Sequence, residues 1–215
     1  MAHNGILFLD ELPEFKRNAL EVLRQPLEEG TVSISRANMA TDFPANFTLI
    51  AAMNPCPCGY ATDPNKSCEC STYSVQRYRS KISGPLLDRI DMHVHVSSIP
   101  LNELKSKRKQ ESSYEIKKRV LVARKVQENR CNGSTNIVWN SNLSPLQIKS
   151  FCKLPKDASN LLEDAMTQLN LSARSYHRIL KVSRTIADLE GSNDILSNHI
   201  AEALHYRCLD RGALI

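Results

Sequence analysis

Apolar residues fall in short blocks in the first half of the chain and in helical stripes in the second. Ile6–Leu9 is a continuous apolar run, as expected of a strand buried on both faces of a parallel sheet. It ends in two adjacent acids, Asp10 and Glu11. Pro13 suits the first turn of a following helix, where its missing N–H costs nothing. Phe15, Ala19, Leu23 and Leu27 then recur every four residues and give that helix one apolar face. Pro26 predicts a kink or a shortened last turn, and Gly30 a helix stop. Thr31–Ser35 alternates as a strand and turns around Arg36–Asn38, which predicts a hairpin. Phe47–Pro55 reads as a second buried strand closing on Asn54. A Cys-rich loop, Cys56–Cys70, a short helix, Val75–Ile82, and an alternating strand, Asp91–Val96, follow.

After Pro100 the texture changes. Leu101–Ser113 is charged and has little to bury, so it reads as a flexible link. Beyond it the periods are helical. Ile116, Val120, Ala123 and Val126 mark one helix, and Ser144-Pro145 caps and starts another. Leu161, Leu162, Ala165 and Leu169 mark a third. Ser172–Ala187 and Ser192–Leu209 give two more, separated by Gly191. The expected organisation is an α/β piece over residues 1–100, a linker over 101–113 and an all-helical domain over 114–215. No internal repeat is visible.

Bulk properties narrow the class. No apolar run approaches the roughly 20 residues of a membrane span, and the opening MAHNG lacks the features of a signal peptide. The expectation is a soluble, cytoplasmic protein with no membrane partner. Of seven cysteines, four crowd into one loop, which in a reducing compartment favours metal or plain thiols over a disulfide framework. The formal charge of +5 permits an anionic partner such as nucleic acid without requiring one.

Four features carry candidate chemistry. An apolar strand ending in Asp10-Glu11 is what a nucleotide hydrolase needs beside its phosphates: Asp10 to hold Mg²⁺, Glu11 to polarise the attacking water. The bland alternative is a pair of acids favouring a helix N-terminus. Asn54 could orient that water; its alternative is an Asn-Pro turn. Arg89, in GPLLDRID beside two acids, reads either as an arginine finger reaching a neighbouring subunit's nucleotide or as a surface ion pair. Cys56, Cys58, Cys68 and Cys70 form C-x-C-x9-C-x-C, two close pairs suited to four thiolates around one structural Zn²⁺. Their alternative is four reduced thiols. His93 and His95 share a strand face and receive no role. Trp139 is expected to anchor the linker on the helical domain. Arg174, near the start of a helix that Ser172 could cap, reads from its position as a solvated first-turn residue. The run Lys105–Lys109 could touch nucleic acid, a solvated loop being the plainer reading.

Taken together, GILFLDELPEF, TLIAAMNPCPCGY, ISGPLLDRIDMHV and LSARSYHRILKVSRTIADL closely resemble the ComM/YifB-type magnesium-chelatase-like AAA+ ATPases, in order and spacing through nearly the whole chain. The resemblance implies a partial AAA+ P-loop core followed by a helical lid. It assigns Asp10 and Glu11 to Walker B, Asn54 to sensor 1, Arg89 to the arginine finger and Arg174 to the sensor 2 arginine. The layout is also similar to the MCM helicases and the magnesium-chelatase ATPase subunit, where a hairpin before sensor 1 faces a central pore. Thr31–Ala40 matches that position, with Arg36 near its tip.

Family members carry a Walker A loop upstream of GILFLDE and a Lon-protease-like domain before that. This sequence contains no GxxxxGK[ST]. The expectation is therefore a C-terminal fragment with an added initiator methionine, unable alone to bind ATP well or hydrolyse it. Its sheet should lack a central strand and expose an edge. The whole protein is expected to be a Mg²⁺–ATP hydrolase forming a ring, a hexamer, that acts on DNA in branch migration or strand separation during recombination or DNA uptake. Two other classes remain: a chelatase-type ATPase serving a protein partner in metal insertion, and a non-enzymatic zinc-supported interaction module.

Overall fold

The computed structural model describes residues 2–36, 39–97, 110–130, 139–207 and 209. The hairpin tip at 37–38, the basic run Lys105–Lys109, most of the expected linker, Cys131 and Cys208 lie outside the described residues. The chain divides into two compact units, one up to Ile90 and one from Asp91 onward. That division falls earlier than the change of texture after Pro100.

The first unit is mixed α/β. Strand β1 (Gly5–Leu9) leads into a 3₁₀ turn, Leu12–Glu14, and then into α1 (Arg17–Val22) and α2 (Arg24–Glu29). A hairpin of β2 (Thr31–Arg36) and β3 (Met39–Pro44) follows, and β4 (Phe47–Ala51) returns to pair with β1 in parallel, Leu7 opposite Leu49 and Leu9 opposite Ala51. The single helix expected from Pro13 onward is thus a turn and two short helices. The cause is Pro26: it has no N–H to offer the Val22 carbonyl and is accommodated only in the first turn of a new helix, which starts at Arg24. Gly30 closes α2 with φ +67, and a Cβ there would meet Asn46 Oδ1 at 2.3 Å. A side chain there would strain the backbone and displace the Asn46 carboxamide.

Leu12, Leu20, Ile82 and Leu86 are buried together, with Leu9, Leu23, Leu27 and Met53 packed against them. Ile82 follows α3 (Thr72–Arg79) and Leu86 lies on α4 (Gly84–Leu87). This cluster covers only the Leu9 side of β1. Ile6 and Phe8 on the other side stay 64% and 59% exposed. The expectation of burial on both faces is corrected: among the described residues one face of the pair has nothing packed on it.

The second unit is helical: α5 (Ser113–Arg130), a 3₁₀ turn at Asn140–Asn142, α6 (Pro145–Phe151), α7 (Lys156–Gln168), α8 (Ala173–Glu190) and α9 (Ser197–His205). Local chemistry sets the boundaries. Ser112 and Glu115 cap α5 reciprocally, Ser144 and Gln147 form a capping box on α6, and Ser172 caps α8. α8 is central, packing against α5, α6 and α9; Ile179, Leu180 and Ala187 meet Leu162, Ile195 and Ile200 in the core. The last helix begins later than Ser192 because the Ser192 and Asn193 carbonyls are taken by the Arg184 guanidinium, at 2.6 and 2.8 Å.

Two expectations fail in this unit. Asp91–Val96 forms no strand. His93 alone makes a parallel bridge, with Arg207, and its N–H donates to the Tyr206 carbonyl at 2.6 Å. The segment belongs with the helices, where no second strand is available among the described residues. On α5 only Ala123 of the expected stripe is buried, while Ile116 and Val120 are exposed. Trp139 is half-buried with the Arg124 guanidinium 4.7 Å above its ring.

Candidate functional site

Asp10, Glu11 and Asn54 come together at the C-terminal ends of two adjacent parallel strands, where ligands sit in open α/β sheets. The β ladder runs past the strands: the Ala52 N–H donates to the Leu9 carbonyl and the Leu12 N–H to the Ala52 carbonyl, both at 2.9 Å. These bonds lock the acidic turn to the segment leading to Asn54. Glu11 sits between them in the left-handed region, φ 50 and ψ 47. For a non-glycine residue that conformation costs about 1–2 kcal/mol. It is held by the flanking bonds and by the buried Leu12 and Pro13. The Glu11 N–H donates to Asp10 Oδ1 at 2.9 Å, which orients the Asp10 carboxylate. Both carboxylates and Asn54 are exposed. Two exposed carboxylates beside a carboxamide form a hard oxygen donor set that fits Mg²⁺.

Helix α3 grips the Asn54 end from behind. The Asn54 backbone N–H donates to the Tyr78 hydroxyl oxygen, and Arg79 donates to the Pro55 carbonyl from Nε at 3.2 Å and Nη2 at 3.1 Å. Sequence reasoning passed over Tyr78 and Arg79. Nothing in VQRYRSKI distinguishes them from an ordinary amphipathic helix.

Arg89 pairs with a carboxylate distant in sequence. It is buried, its guanidinium paired with Glu28 and its Nη1 donating to the Pro85 carbonyl at 2.7 Å. Asp91 instead pairs with Arg178. In this conformation Arg89 is engaged within its own chain, so service as a finger requires it to leave Glu28. Glu28→Gln should lower the stability of the first unit by about 1–3 kcal/mol, since it leaves a buried guanidinium without its counter-charge. The urea midpoint measures this, and an unchanged midpoint would reduce the pair to a surface contact. Arg174 is exposed at the start of α8, in the second unit.

The four loop cysteines converge. Cys56 Sγ lies 3.3 Å from Cys58 Sγ and 3.6 Å from Cys68 Sγ, Cys58 and Cys68 are 3.6 Å apart, and all four sulfurs, Cys70 included, lie within 4.8 Å of one another. Tetrahedral zinc with Zn–S near 2.3 Å sets its sulfurs about 3.8 Å apart. The Tyr60 backbone N–H and the Cys56 thiol pull the Cys58 thiol down to about 6. Cys68 is drawn down by the Cys70 backbone N–H, but burial and the neighbouring thiols outweigh this and push it up to about 12. One thiolate thus suppresses the next, and holding several together takes a cation.

The sequence matches two family models, magnesium chelatase, subunit ChlI, over residues 1–104 and the C-terminal part of the same subunit over residues 110–207. It is 46% identical to competence protein ComM of Haemophilus influenzae over 212 residues and 43% identical to YifB of Salmonella typhimurium over 213, covering 98% of this chain in each case. It is also 22% identical, over 94% of its length, to DNA replication licensing factor mcm6 of Dictyostelium discoideum. The chain belongs to the ComM/YifB-type magnesium-chelatase-like family. It spans 40% of the length of ComM and of YifB. Among the described residues no helix is long and apolar enough to cross a membrane.

Proposed function

We propose that this chain is part of an AAA+ ring motor, a hexamer driven by Mg²⁺–ATP, that acts on DNA. The observation that carries the reading is the meeting of Asp10, Glu11 and Asn54 at the C-terminal end of the β1–β4 pair. Family membership supports the ATPase, and likeness to a DNA replication licensing factor supports the DNA.

Bound at this end of the strands, Mg²⁺–ATP would supply the γ-phosphate that is transferred to water. Asp10 would hold the cation. Glu11 accepts a proton from the attacking water. Asn54 orients the same water through its carboxamide. By the family pattern Arg174 would be the sensor 2 arginine and Arg89, once released from Glu28, the arginine finger toward a neighbouring subunit. The β2–β3 hairpin lies between the acids and Asn54 in sequence and offers a surface for DNA. In branch migration or strand separation, as in recombination or DNA uptake, such a ring would convert hydrolysis into movement along the strand.

A second reading is favoured by the family models' own description: a chelatase-type ATPase that serves a protein partner in metal insertion. ATP hydrolysis by the whole protein, measured with and without branched DNA at two salt concentrations, separates them. The motor reading expects stimulation that weakens as salt rises. Hydrolysis indifferent to DNA moves the chelatase reading forward, and no hydrolysis under either condition sinks both.

A further inference from the structure

The loop between β4 and α3 poses a folding problem. From Cys56 to Cys70 only Cys56 is buried, and the stretch contains neither helix nor strand. Its hydrogen bonds make local turns: Gly59 N–H to the Cys56 carbonyl at 3.0 Å, Asp63 N–H to the Tyr60 carbonyl at 3.1 Å, and Asn65 N–H to Asp63 Oδ1 at 2.7 Å. None of these turns joins the first cysteine pair to the second; the contacts that do all run through a cysteine sulfur. Ordering the backbone costs about 1–2 kcal/mol per residue, and one buried side chain returns only about 1.5–3 kcal/mol. What closes the loop is the set of four sulfurs.

We propose that Cys56, Cys58, Cys68 and Cys70 bind one Zn²⁺ in a closed tetrathiolate site, and that this ion anchors the Asn54–Pro55 end of β4. The donor set is soft and complete: four thiolates suit zinc and leave no open position, so the ion is structural. Each thiol that binds gives its proton to solvent. The sulfurs also have the outer shell such a site uses. Cys58 accepts from the Tyr60 backbone N–H, Cys68 from that of Cys70, and Cys70 from that of Cys58. Such bonds orient a thiolate and spread its charge.

The anchoring follows from connectivity. Cys56 directly follows Pro55, whose carbonyl Arg79 holds, and Cys70 directly precedes Ser71, whose hydroxyl caps α3. One ion therefore ties the end of β4 to the start of the helix that grips Asn54. This half deepens the nucleotide reading, in which Asn54 faces the phosphates; the zinc half stands without it.

The test uses the full chain, purified in reducing buffer. Elemental analysis should find one zinc per chain, and Cys68→Ser/Cys70→Ser should retain less than about a tenth of it. Cobalt in place of zinc should give the visible bands of a tetrahedral thiolate site. After chelation, the amides of Asn54 and Thr72–Arg79 should exchange hydrogen about tenfold faster, with those of α8 unchanged. Absence of zinc and of the cobalt spectrum, or a disulfide among the four in a non-reduced peptide map, overturns the site. Stoichiometric zinc whose removal leaves Asn54 and α3 exchanging as before overturns the anchoring. If the serine variant does not fold, zinc content and the cobalt spectrum of the unmodified chain still decide. None of these readouts involves nucleotide, so failure here is distinct from failure of the motor reading.

Discussion

Asp188→Ala is expected to destabilise the helical unit by about 3–5 kcal/mol, a large share of the roughly 5–15 kcal/mol that holds a domain together. The Asp188 side chain is fully buried on α8 and neutralises two arginines. Arg184 Nε reaches Oδ1 at 3.0 Å and Arg130 Nη1 reaches Oδ2 at 3.1 Å, while Asn140 Nδ2 donates to Oδ2 at 2.8 Å. These partners come from α5, the 3₁₀ turn and α8 itself. One carboxylate therefore joins three elements distant in sequence. Alanine leaves Arg184, 3% exposed at its side chain, buried beside Arg130 with no counter-charge. The cost is larger than a lost hydrogen bond because the charge left behind is desolvated. Asp188→Asn keeps an acceptor but not the charge, so it should fall between alanine and the parent. Urea unfolding followed by helical circular dichroism measures both. A shift below about 1 kcal/mol for alanine would mean that water reaches the arginines and that the network is ornamental to stability.

That network was not legible in the sequence, and the reason is physical. Helical periodicity marks apolar positions, so Leu161, Leu162 and Ala165 could be placed, and the core holds them. Asp188 and Arg184 lie on the same buried side of α8, but in sequence they look like an exposed i, i+4 pair. Capping signals read well: Ser172 and Ser144 act as their neighbours suggested, because a cap needs only residues close in sequence. The hairpin was legible for the same reason. The 91–96 segment was not, since alternation predicts a strand only if a partner strand is at hand. Arg89 shows the same limit. Its neighbours Asp88 and Asp91 suggested a local pair, whereas its carboxylate comes from Glu28 on α2, which only the fold brings near. The cysteine spacing carried further than either, because two tight pairs across one loop leave the sulfurs little choice but to meet.

The sharpest functional expectation rests on Glu11. In the whole protein, Glu11→Gln should lower the rate of ATP hydrolysis about 10²–10⁴-fold, the range general-base catalysis supplies, with nucleotide binding retained. Three features make the substitution clean. Glu11 is exposed, so no buried partner is lost. Its left-handed backbone strain is the same for both side chains, which share their shape up to the terminal atom. Its N–H continues to hold Asp10 Oδ1, so the neighbouring carboxylate keeps its orientation. What changes is the ability to take a proton from water. Asp10→Asn should behave differently: it weakens an oxygen donor expected to hold the cation, so Mg²⁺-dependent nucleotide binding should fall along with the rate. Fluorescent nucleotide titration beside steady-state hydrolysis distinguishes the two. Hydrolysis at the parent rate in Glu11→Gln would remove the base from this residue. Loss of binding in Glu11→Gln as severe as in Asp10→Asn would instead make both carboxylates cation holders and leave the base to be sought elsewhere, since the Asn54 carboxamide is too weak a base to accept the water's proton.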